Sequence, residues 1–372
     1  MPKLKILNVV GARPNFMKIA PIYEAMRGNS IIEPYLLHTG QHYDRAMSEL
    51  FFDNLGLPEP DHYLGVGSGG HGAQTGKIMI AFEEILRELS PDLVLVVGDV
   101  NSTIACGLVA VKMGIKLVHV EAGLRSFDRG MPEEVNRVLT DQISDYLFIT
   151  EESARANLAR EGIAGDRIFF VGNVMIDTLL RHRERARERS IVADLGLETG
   201  GFALVTLHRP SNVDDPQTLR GLMAAVARLA DHIPVVFPVH PRTRQRLVAQ
   251  GLEGSLGRCA NLKLIEPLGY LDFLHCMDAS RLVVTDSGGI QEETTVLGIP
   301  CITARENTER PVTVSEGTNI VVGQDADKLL EAALKVLDGE GKTGVCPKLW
   351  DGRAAERIVQ VLWEREGLPR AG

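Results

Sequence analysis

Cysteine is scarce in this sequence and follows no metal-binding or redox spacing. The five cysteines are odd in number and widely separated, with no CxxC pair and no histidine cluster at zinc spacing: Cys106, Cys259, Cys276, Cys301 and Cys346. Neither a disulfide framework nor a zinc site is therefore expected. Reduced thiols in a cytosolic enzyme are the simplest interpretation.

Long apolar runs and one-sided charge are also missing. No run is long enough to span a membrane, and the amino-terminal stretch has too short an apolar part for a signal peptide and breaks at a glycine. The formal net charge is -9, and Arg and Glu are spread through helical segments, so there is no basic face for nucleic acid and no polybasic membrane patch. We therefore expect a cytoplasmic protein that binds neither nucleic acid nor membrane.

The composition that remains is that of a soluble globular protein, with 44% hydrophobic and 24% charged residues. A chain of 372 residues exceeds what one hydrophobic core normally holds, which predicts two domains. Apolar runs of strand length alternate with helical periodicity from end to end, which predicts parallel sheets with helices on both faces. The expected fold class is α/β, with two doubly wound, Rossmann-like domains facing across a cleft.

The predicted elements fall into two sets. The first set of strands is Lys5–Val10, Pro34–His38, Asp92–Val97, Lys116–Val120, Tyr146–Ile149 and Ile168–Val171. The pattern weakens over His182–Gly201, which we predict to be a charged helix ending in glycine. The second set of strands is Phe202–Leu207, Pro234–Pro238, Leu262–Glu266, Leu282–Thr285, Cys301–Thr303 and Ile320–Val322. We therefore place the amino-terminal domain in residues 1–175, the carboxyl-terminal domain in 176–352, and a helix that crosses back to the first domain in 353–372.

The stretch from Leu282 to Leu297 predicts a strand, a tight glycine turn and a helix. Ser287, Gly288 and Gly289 lie near the predicted helix start, where unpaired amides and the positive end of the helix dipole favour phosphate. Adjacent glycines also let the backbone approach a ligand closely. An ordinary strand-to-helix turn would use the same glycines for geometry, so this turn alone leaves both interpretations open.

Charged residues follow the predicted strands of the first half. Arg13 and Lys18, after the first strand, are two cations suited to a diphosphate. Asp99, Glu121 and Glu133 each have an ordinary explanation, as a helix cap or as an acid beside a strand or in a first helical turn. Three carboxylates at one edge of one sheet nevertheless predict proton-transfer chemistry, because like charges gathered in a cleft cost stability.

Two histidines, His208 and His240, follow strands in the second half. Each is a candidate proton shuttle or phosphate ligand, and a structural histidine bonded to backbone fits the same positions equally well. Ligands of doubly wound sheets bind outside the carboxyl ends of the strands, so the expected site is the cleft between the two domains.

A series of motifs resembles those of the non-hydrolysing UDP-N-acetylglucosamine 2-epimerases: GARPNFMKIAP, TGQHYD, GDVNST, HVEAGLRS, MPEEVNR, VGNVMID, HRPSNVD, DSGGIQEE and ENTERPVT. The resemblance covers nearly the whole chain. It implies a homodimeric, cytoplasmic isomerase with two domains of the GT-B type. Such an enzyme makes UDP-N-acetylmannosamine for surface polysaccharides from a UDP-sugar substrate, without NAD, a metal or another cofactor.

The resemblance also implies residue roles. The residues lining the reaction site would be Arg13, Lys18, Asp99, Glu121, Glu133, Arg137 and His208. The groups holding the nucleotide would be Ser287, Gly288 and Gly289 at the phosphate, Glu293 at the ribose hydroxyls and the backbone around Phe273 at the uracil, with His240 and Arg310 nearby.

The chain departs from one branch of this family, which resembles GTRPE, GDTTTT and GHRRE where this sequence has GARPN, GDVNST and LHRPS. Members of that branch are activated by substrate bound beside the active site, and Gln41 and His42 match part of that second site. The departures leave open whether activation is retained and whether the substrate is an acidic relative such as UDP-2,3-diacetamido-glucuronate. A GT-B glycosyltransferase would share the fold and the nucleotide site, but it would need an acceptor.

Overall fold

A computed structural model describes residues 3–41 and 55–367, except for the side chain of Arg13. The chain forms two compact units, the first from Met1–Thr178 with Lys348–Gly372 and the second from Leu179–Pro347. Each unit holds one parallel sheet flanked by helices, which confirms the predicted α/β class with two doubly wound sheets.

The first unit contains a seven-stranded sheet within the described residues. The strands are β1 Leu4–Val10, β2 Ile32–His38, β3 His62–Tyr63, β4 Leu93–Val97, β5 Lys116–Val120, β6 Tyr146–Ile149 and β7 Ile168–Phe170. Their order is β3-β2-β1-β4-β5-β6-β7, with every neighbouring pair parallel. The helices are α1 Arg13–Arg27, α2 His71–Leu89, α3 Asn101–Lys112, α4 Pro132–Ile143, α5 Glu152–Arg160 and α6 Val174–Arg187, and the division between the units falls within α6.

The second unit contains a six-stranded sheet. The strands are β8 Ala203–Thr206, β9 Val235–Pro238, β10 Leu262–Ile265, β11 Leu282–Thr285, β12 Cys301–Thr303 and β13 Asn319–Val321. Their order is β10-β9-β8-β11-β12-β13, and all pairs are again parallel. The helices are α7 Ile191–Asp194, α8 Pro210–Val213, α9 Pro216–Ala230, α10 Pro241–Ala249, α11 Glu253–Leu256, α12 Tyr270–Asp278, α13 Gly288–Leu297, α14 Pro311–Ser315 and α15 Ala326–Leu337.

The central strands are apolar along their whole length because a parallel sheet is covered on both faces. Every residue of β4 and of β11 is buried. The strand order reverses between β1 and β4 in the first sheet and between β8 and β11 in the second, and ligands of doubly wound sheets bind at such switch points. Among the helices of the described ranges, none is both long and apolar enough to cross a membrane.

The predicted charged helix over His182–Gly201 is wrong. Helix α6 begins at Val174, because its first turns carry buried apolar residues, and it ends at Arg187. Only the single turn α7 follows before the second sheet. Strand β3 and the four-residue helices carry too few residues to show a periodicity, so the sequence did not predict them.

The carboxyl-terminal helix α16, Ala354–Glu366, packs against α1 of the first unit. Its first amides, those of Ala354 and Ala355, donate to the Asp177 carboxylate at 3.1 and 2.7 Å. At its other end, the Tyr146 hydroxyl donates to Glu366. Both ends of the helix are therefore held by side chains from the first half of the chain.

Candidate active site

The first candidate site lies at the switch point of the first sheet, where the chain leaves β1 and β4. After β1, a Cβ atom on Gly11 would lie 2.2 Å from Ser102 Oγ, so only glycine fits there. After β4, Gly98 has a φ of +65°, and a Cβ atom on it would lie 3.1 Å from Lys18 Nζ and 3.6 Å from Glu121 Oε2. These two charged groups therefore meet against the backbone at the end of β4.

Lys18 and Glu121 form a buried ion pair, with side chains 9% and 6% exposed. Glu121 follows β5 directly and has a φ of +71°, a left-handed conformation that residues other than glycine rarely adopt. Strain held at a charged residue is typical of functional positions. The predicted diphosphate contact of Lys18 stays a prediction, because the contact that the structure gives this ammonium group is Glu121.

Asp99, at the end of β4, forms an ion pair with Arg137 of α4. Arg137 is buried and also donates to Glu134 at 2.7 Å, so its guanidinium is fixed. Asn136 donates to the Asp99 carbonyl oxygen at 2.8 Å. Asp99 is thus held through its backbone and its carboxylate, and 27% of its side chain remains exposed.

The two acids that open α4 have different surroundings. Glu134 is buried and accepts hydrogen bonds from the amides of Ser126 and Phe127, each at 2.9 Å, so its role is structural. Glu133 is only half-buried. It lies four residues before Arg137, so the two side chains share one face of α4. Arg137 is the residue that pairs with Asp99. Of the two acids, Glu133 is therefore the candidate for chemistry.

The residues suggested for regulation have a mixed outcome. Gln41 is buried, and its Oε1 accepts hydrogen bonds from the Ser102 amide at 3.0 Å and from the Ser102 hydroxyl at 2.6 Å, which ties the end of β2 to α3. His42 lies outside the described residues, as does the side chain of Arg13, whose backbone begins α1. A regulatory role for Gln41 and His42 stays a prediction.

The second candidate site lies at the switch point of the second sheet, after β8 and β11. Helix α13 begins at Gly288, two residues earlier than predicted, so Gly288 and Gly289 lie in its first turn. Ser287 is the N-cap residue, and its hydroxyl makes no capping hydrogen bond. The first-turn amides and this hydroxyl are therefore donors of the kind that bind phosphate at a helix N-terminus.

Arg310 adds a positive charge to this turn. A Cβ atom on Gly288 would lie 2.9 Å from Arg310 Nη1 and 3.0 Å from its Cζ, so the guanidinium lies directly against the glycine backbone. Arg310 Nε is 2.9 Å from Glu292 Oε1, which fixes the side chain. A guanidinium held beside a helix N-terminus strengthens a site for a phosphate group.

Asp286 holds the turn after β8 and orients His208. Its Oδ2 accepts hydrogen bonds from the amides of His208 and Arg209, each at 2.9 Å, and its Oδ1 lies 2.9 Å from His208 Nδ1. Burial alone would raise the pKa of Asp286, but the contacts with His208 and these amides outweigh it and lower the pKa. The imidazole is thereby fixed, with Nε2 on the side away from Asp286. Asp286 was not among the site residues predicted from the sequence, where it lies in the motif DSGGIQEE.

Glu293, the residue predicted at the ribose, is buried in α13. The Tyr270 hydroxyl donates to its Oε1 at 3.3 Å. Burial, and then the neighbouring Glu292 carboxylate, raises the pKa of Glu293 to about 8. The side chain is therefore mostly neutral at pH 7, and it can both donate and accept hydrogen bonds.

Phe273 and His240, the two remaining residues predicted near the nucleotide, each take part in a hydrogen bond with a backbone group. Phe273 is half-buried in α12, and its amide donates to the Gly269 carbonyl oxygen at 2.9 Å. The predicted uracil contact of the backbone in this region stays a prediction. His240 accepts a hydrogen bond from the Arg242 amide at 3.2 Å at the start of α10, and its ring centroid is 5.6 Å from that of His208.

A buried ion network after β12 was not assigned from the sequence. Arg305 donates to both carboxylate oxygens of Glu309, at 2.7 and 3.1 Å, and Arg209 Nη2 lies 3.5 Å from the same carboxylate. Burial alone would raise the pKa of Glu309, but Arg310 and Arg305 lower it far below its usual range. The available sequence signal was an acid, Glu309, with an arginine on either side of it within RENTERP.

The two units therefore offer different chemistry. The first presents two carboxylates, Asp99 and Glu121, that are each paired with a cation, and the second presents a helix N-terminus with a guanidinium and an oriented imidazole. Over residues 3–41 and 55–367, no group of three or more His, Cys, Asp and Glu side chains could hold a metal ion. Acid–base chemistry and anion binding are what these side chains supply.

The two doubly wound sheets define an α/β protein of the GT-B type, a fold that epimerases and glycosyltransferases share. The crystal structure of the Methanocaldococcus jannaschii UDP-GlcNAc 2-epimerase in complex with UDP-GlcNAc and UDP is similar to this chain, with a TM-score of 0.90 and 42% identity. The match covers 97% of this chain and 100% of that chain.

The chain belongs to the UDP-N-acetylglucosamine 2-epimerase family, whose sequence model matches residues 24–363. The UDP-N-acetylglucosamine 2-epimerase of M. jannaschii is 42% identical over 369 residues, which cover 96% of this chain and 99% of the relative. The UDP-2,3-diacetamido-2,3-dideoxy-D-glucuronate 2-epimerase of Pseudomonas aeruginosa is 40% identical over 367 residues, with the same two coverages of 96% and 99%. The family resemblance predicted from the motifs is confirmed.

Proposed function

We propose that this protein is a non-hydrolysing UDP-N-acetylglucosamine 2-epimerase that interconverts UDP-N-acetylglucosamine and UDP-N-acetylmannosamine. The observation that carries the proposal is the pair of carboxylates, Asp99 and Glu121, each ion-paired at the carboxyl edge of one sheet. The chain around them is 42% identical to an epimerase of that name.

The chemistry of the substrate sets the order of events. The proton at C2 of the sugar has no carbonyl group beside it, so its direct removal would leave an unstabilised carbanion. Loss of UDP from C1 therefore has to precede or accompany proton removal, which gives a 2-acetamidoglucal. Protonation of C2 on the opposite face and return of UDP to C1 complete the change. No step of this reaction transfers a hydride, so the reaction requires no NAD.

Each group of side chains has a task in this reaction. Arg13, His208 and the turn Ser287–Gly289 stabilise the departing diphosphate, an electrostatic task suited to preorganised donors. Asp99, Glu121 and Glu133 are the candidates for removing and returning the C2 proton, and one carboxylate for each face of the sugar explains why more than one is needed. Arg310 adds to the phosphate site, and Glu293 binds the ribose hydroxyls.

Product analysis in heavy water tests this proposal. The protein is incubated with UDP-N-acetylglucosamine alone, and the products are separated and examined by NMR. We expect UDP-N-acetylmannosamine carrying deuterium at C2. Epimer without deuterium would contradict the elimination route, free N-acetylmannosamine with UDP would indicate a hydrolase, and unchanged substrate would contradict the activity.

The acidic substrate is the second arm of that experiment. The 40% identity to the P. aeruginosa epimerase is the observation that warrants it. UDP-2,3-diacetamido-glucuronate is incubated under the same conditions, and the two values of kcat/KM are compared. We expect UDP-N-acetylglucosamine to be the better substrate; a higher kcat/KM for the uronate would reassign the substrate and leave the elimination mechanism in place.

The same proposal extends to the setting of the enzyme. We expect a cytoplasmic homodimer that supplies UDP-N-acetylmannosamine for surface polysaccharide synthesis. Light scattering on the purified protein tests the dimer, since a monomer mass at working concentrations would contradict it.

A further inference from the structure

A buried histidine, His119, connects the two backbone segments that carry Asp99 and Glu121. It is the fourth residue of β5 and has no exposed surface. Its Nδ1 lies 2.7 Å from Asp141 Oδ1, and its Nε2 lies 2.9 Å from the Gly98 carbonyl oxygen. Gly98 directly precedes Asp99, and Glu121 follows two residues after the histidine. The imidazole therefore contacts the backbone behind Asp99 and lies on the strand that leads into Glu121.

Asp141, in α4, extends this connection to the turn after Glu121. Its Oδ2 accepts hydrogen bonds from the Gly123 amide at 3.0 Å and from Arg125 Nη2 at 2.7 Å. Both Glu121 and Gly123 have left-handed backbones, with φ values of 71° and 77°. A turn with two such residues needs fixed partners to persist, and the Asp141 carboxylate provides one of them.

The partners of His119 determine which ring nitrogen donates. A carbonyl oxygen only accepts, so Nε2 carries a hydrogen. Burial alone would raise the pKa of Asp141, but His119 and Arg125 outweigh it and lower the pKa. With Arg125 bound to Glu161 at 2.6 Å, the network reaches from β5 through α4 to the end of α5.

We propose that His119 is a positioning residue for the epimerisation. Through the Gly98 carbonyl and the Asp141 carboxylate, it fixes the Gly98–Asp99 peptide and the turn that follows Glu121. Both carboxylates thereby keep the direction that proton transfer at C2 requires. This inference rests on the proposed function, and its physical reason is that displacing a reacting group by about 1 Å can lower a rate about a hundredfold.

Two substitutions separate the contacts of the imidazole. His119→Gln places an amide nitrogen close to the position of Nε2, so it keeps the donor to Gly98. His119→Asn places an amide nitrogen close to Nδ1, so it keeps the donor to Asp141 and loses the one to Gly98. We expect kcat to fall about a hundredfold in His119→Asn and about tenfold in His119→Gln. The dissociation constant of UDP should stay within about twofold, because the partners of His119, Gly98 and Asp141, are not among the groups proposed to hold UDP.

The control is Asp145→Ala, a residue just before β6 that contacts the other end of β5. Asp145 accepts a hydrogen bond from the Leu117 amide at 2.8 Å, and its loss should lower the melting temperature without changing kcat. The positioning role would be overturned by equal kcat in the two histidine variants. It would also be overturned if the kcat values of the two histidine variants depended on melting temperature in the same way as those of the wild type and Asp145→Ala, because the loss of activity would then reflect lost stability alone.

A spectroscopic readout keeps this inference separate from the proposed function. In ¹⁵N NMR spectra, the resonances missing from His119→Gln identify His119, and we expect its Nε2 to carry a hydrogen that the Gly98 carbonyl oxygen accepts. An unprotonated Nε2 would overturn the bridge to Gly98, whatever the substrate proves to be. If the wild type turns over only another UDP-sugar, the proposed function fails. The positioning role is then tested by the ratio of kcat in His119→Gln to kcat in His119→Asn on that sugar.

Discussion

Lys18 and Glu121 lie 103 positions apart in the sequence, and their charges meet in a buried ion pair at the end of β4. Both groups are buried, so a charge on either one alone would carry a large desolvation penalty. The Lys18 ammonium group therefore supplies an opposite charge to the Glu121 carboxylate in this buried position. Removing either partner deprives the other of that opposite charge.

The first prediction is that stability and activity separate at this pair. Lys18→Met should destabilise the first unit by about 3 kcal/mol, because the Glu121 charge loses its partner. Adding Glu121→Gln should recover most of that stability, since no buried charge remains, and should leave activity low. Urea unfolding and kcat of the two single variants and the double variant complete the cycle. A double variant as unstable as Lys18→Met would contradict the electrostatic explanation.

The second prediction concerns the three candidate carboxylates. Asp99→Asn, Glu121→Gln and Glu133→Gln should each lower kcat by about a hundredfold or more, because the amide cannot accept the C2 proton. UDP binding, measured by calorimetry, should change little. Glu83→Gln is the matched control, since the Glu83 side chain is 45% exposed and pairs with Arg87 in the same helix. Wild-type turnover in one of the three variants would remove that residue from the assignment.

The third prediction tests the phosphate turn. Gly288→Ala should weaken UDP binding about tenfold, equivalent to ~1.4 kcal/mol, because the new methyl group would displace the Arg310 guanidinium. Gly254→Ala is the control: nothing lies within 4 Å of a Cβ atom there. Calorimetric titration with UDP compares the two. Equal affinities in the two variants would show that Arg310 does not bind the diphosphate.

The fourth prediction is a pH dependence caused by Glu293. Its pKa in the folded protein is about 8, above the ordinary value of 4.5, so the folded state binds the proton more tightly than the unfolded state. The stability contributed in this way is fully present below pH 4.5 and is lost as the pH rises through about 8. Glu293→Gln, which is neutral at every pH, should reduce this loss.

Urea midpoints at pH 5 and pH 8.5, measured for the wild type and Glu293→Gln, check the fourth prediction. The wild type should lose more stability between the two values than the variant does. The control is Glu188→Gln, an exposed position, which should behave as the wild type. An equal loss in Glu293→Gln would show that another group carries the pH dependence.

Local patterns were sufficient to predict the sheets and the turn at Ser287. Strands such as β5 and β11 are short apolar runs followed by charged or glycine residues, and those signals lie within ten residues of one another. The predicted ends of the elements were wrong where tertiary packing determines them. Helix α6 begins eight residues before the predicted charged segment, because its buried first turns are stabilised by contacts that no local pattern contains.

The partners of the candidate residues could not be predicted in the same way. Glu133 and Glu134 are neighbours with the same chemistry. Hydrogen bonds from Arg137 and from the amides of Ser126 and Phe127, in the preceding loop, make Glu134 the structural one. The bridge from His119 to Asp141 joins two elements, β5 and α4, whose packing no periodicity reveals. Such pairings are set by the tertiary structure, whereas the candidate residue types can be read directly from the sequence.

The position of α16 has a consequence for the order of assembly. On the ribosome, Asp177 emerges before the whole of the second unit, whereas its partners, the amides of Ala354 and Ala355, are synthesised after that unit. The first unit therefore remains incomplete throughout translation of the second, although domains generally fold from the amino-terminal end as they emerge. The first unit of the nascent chain reaches its final stability only when α16 has emerged.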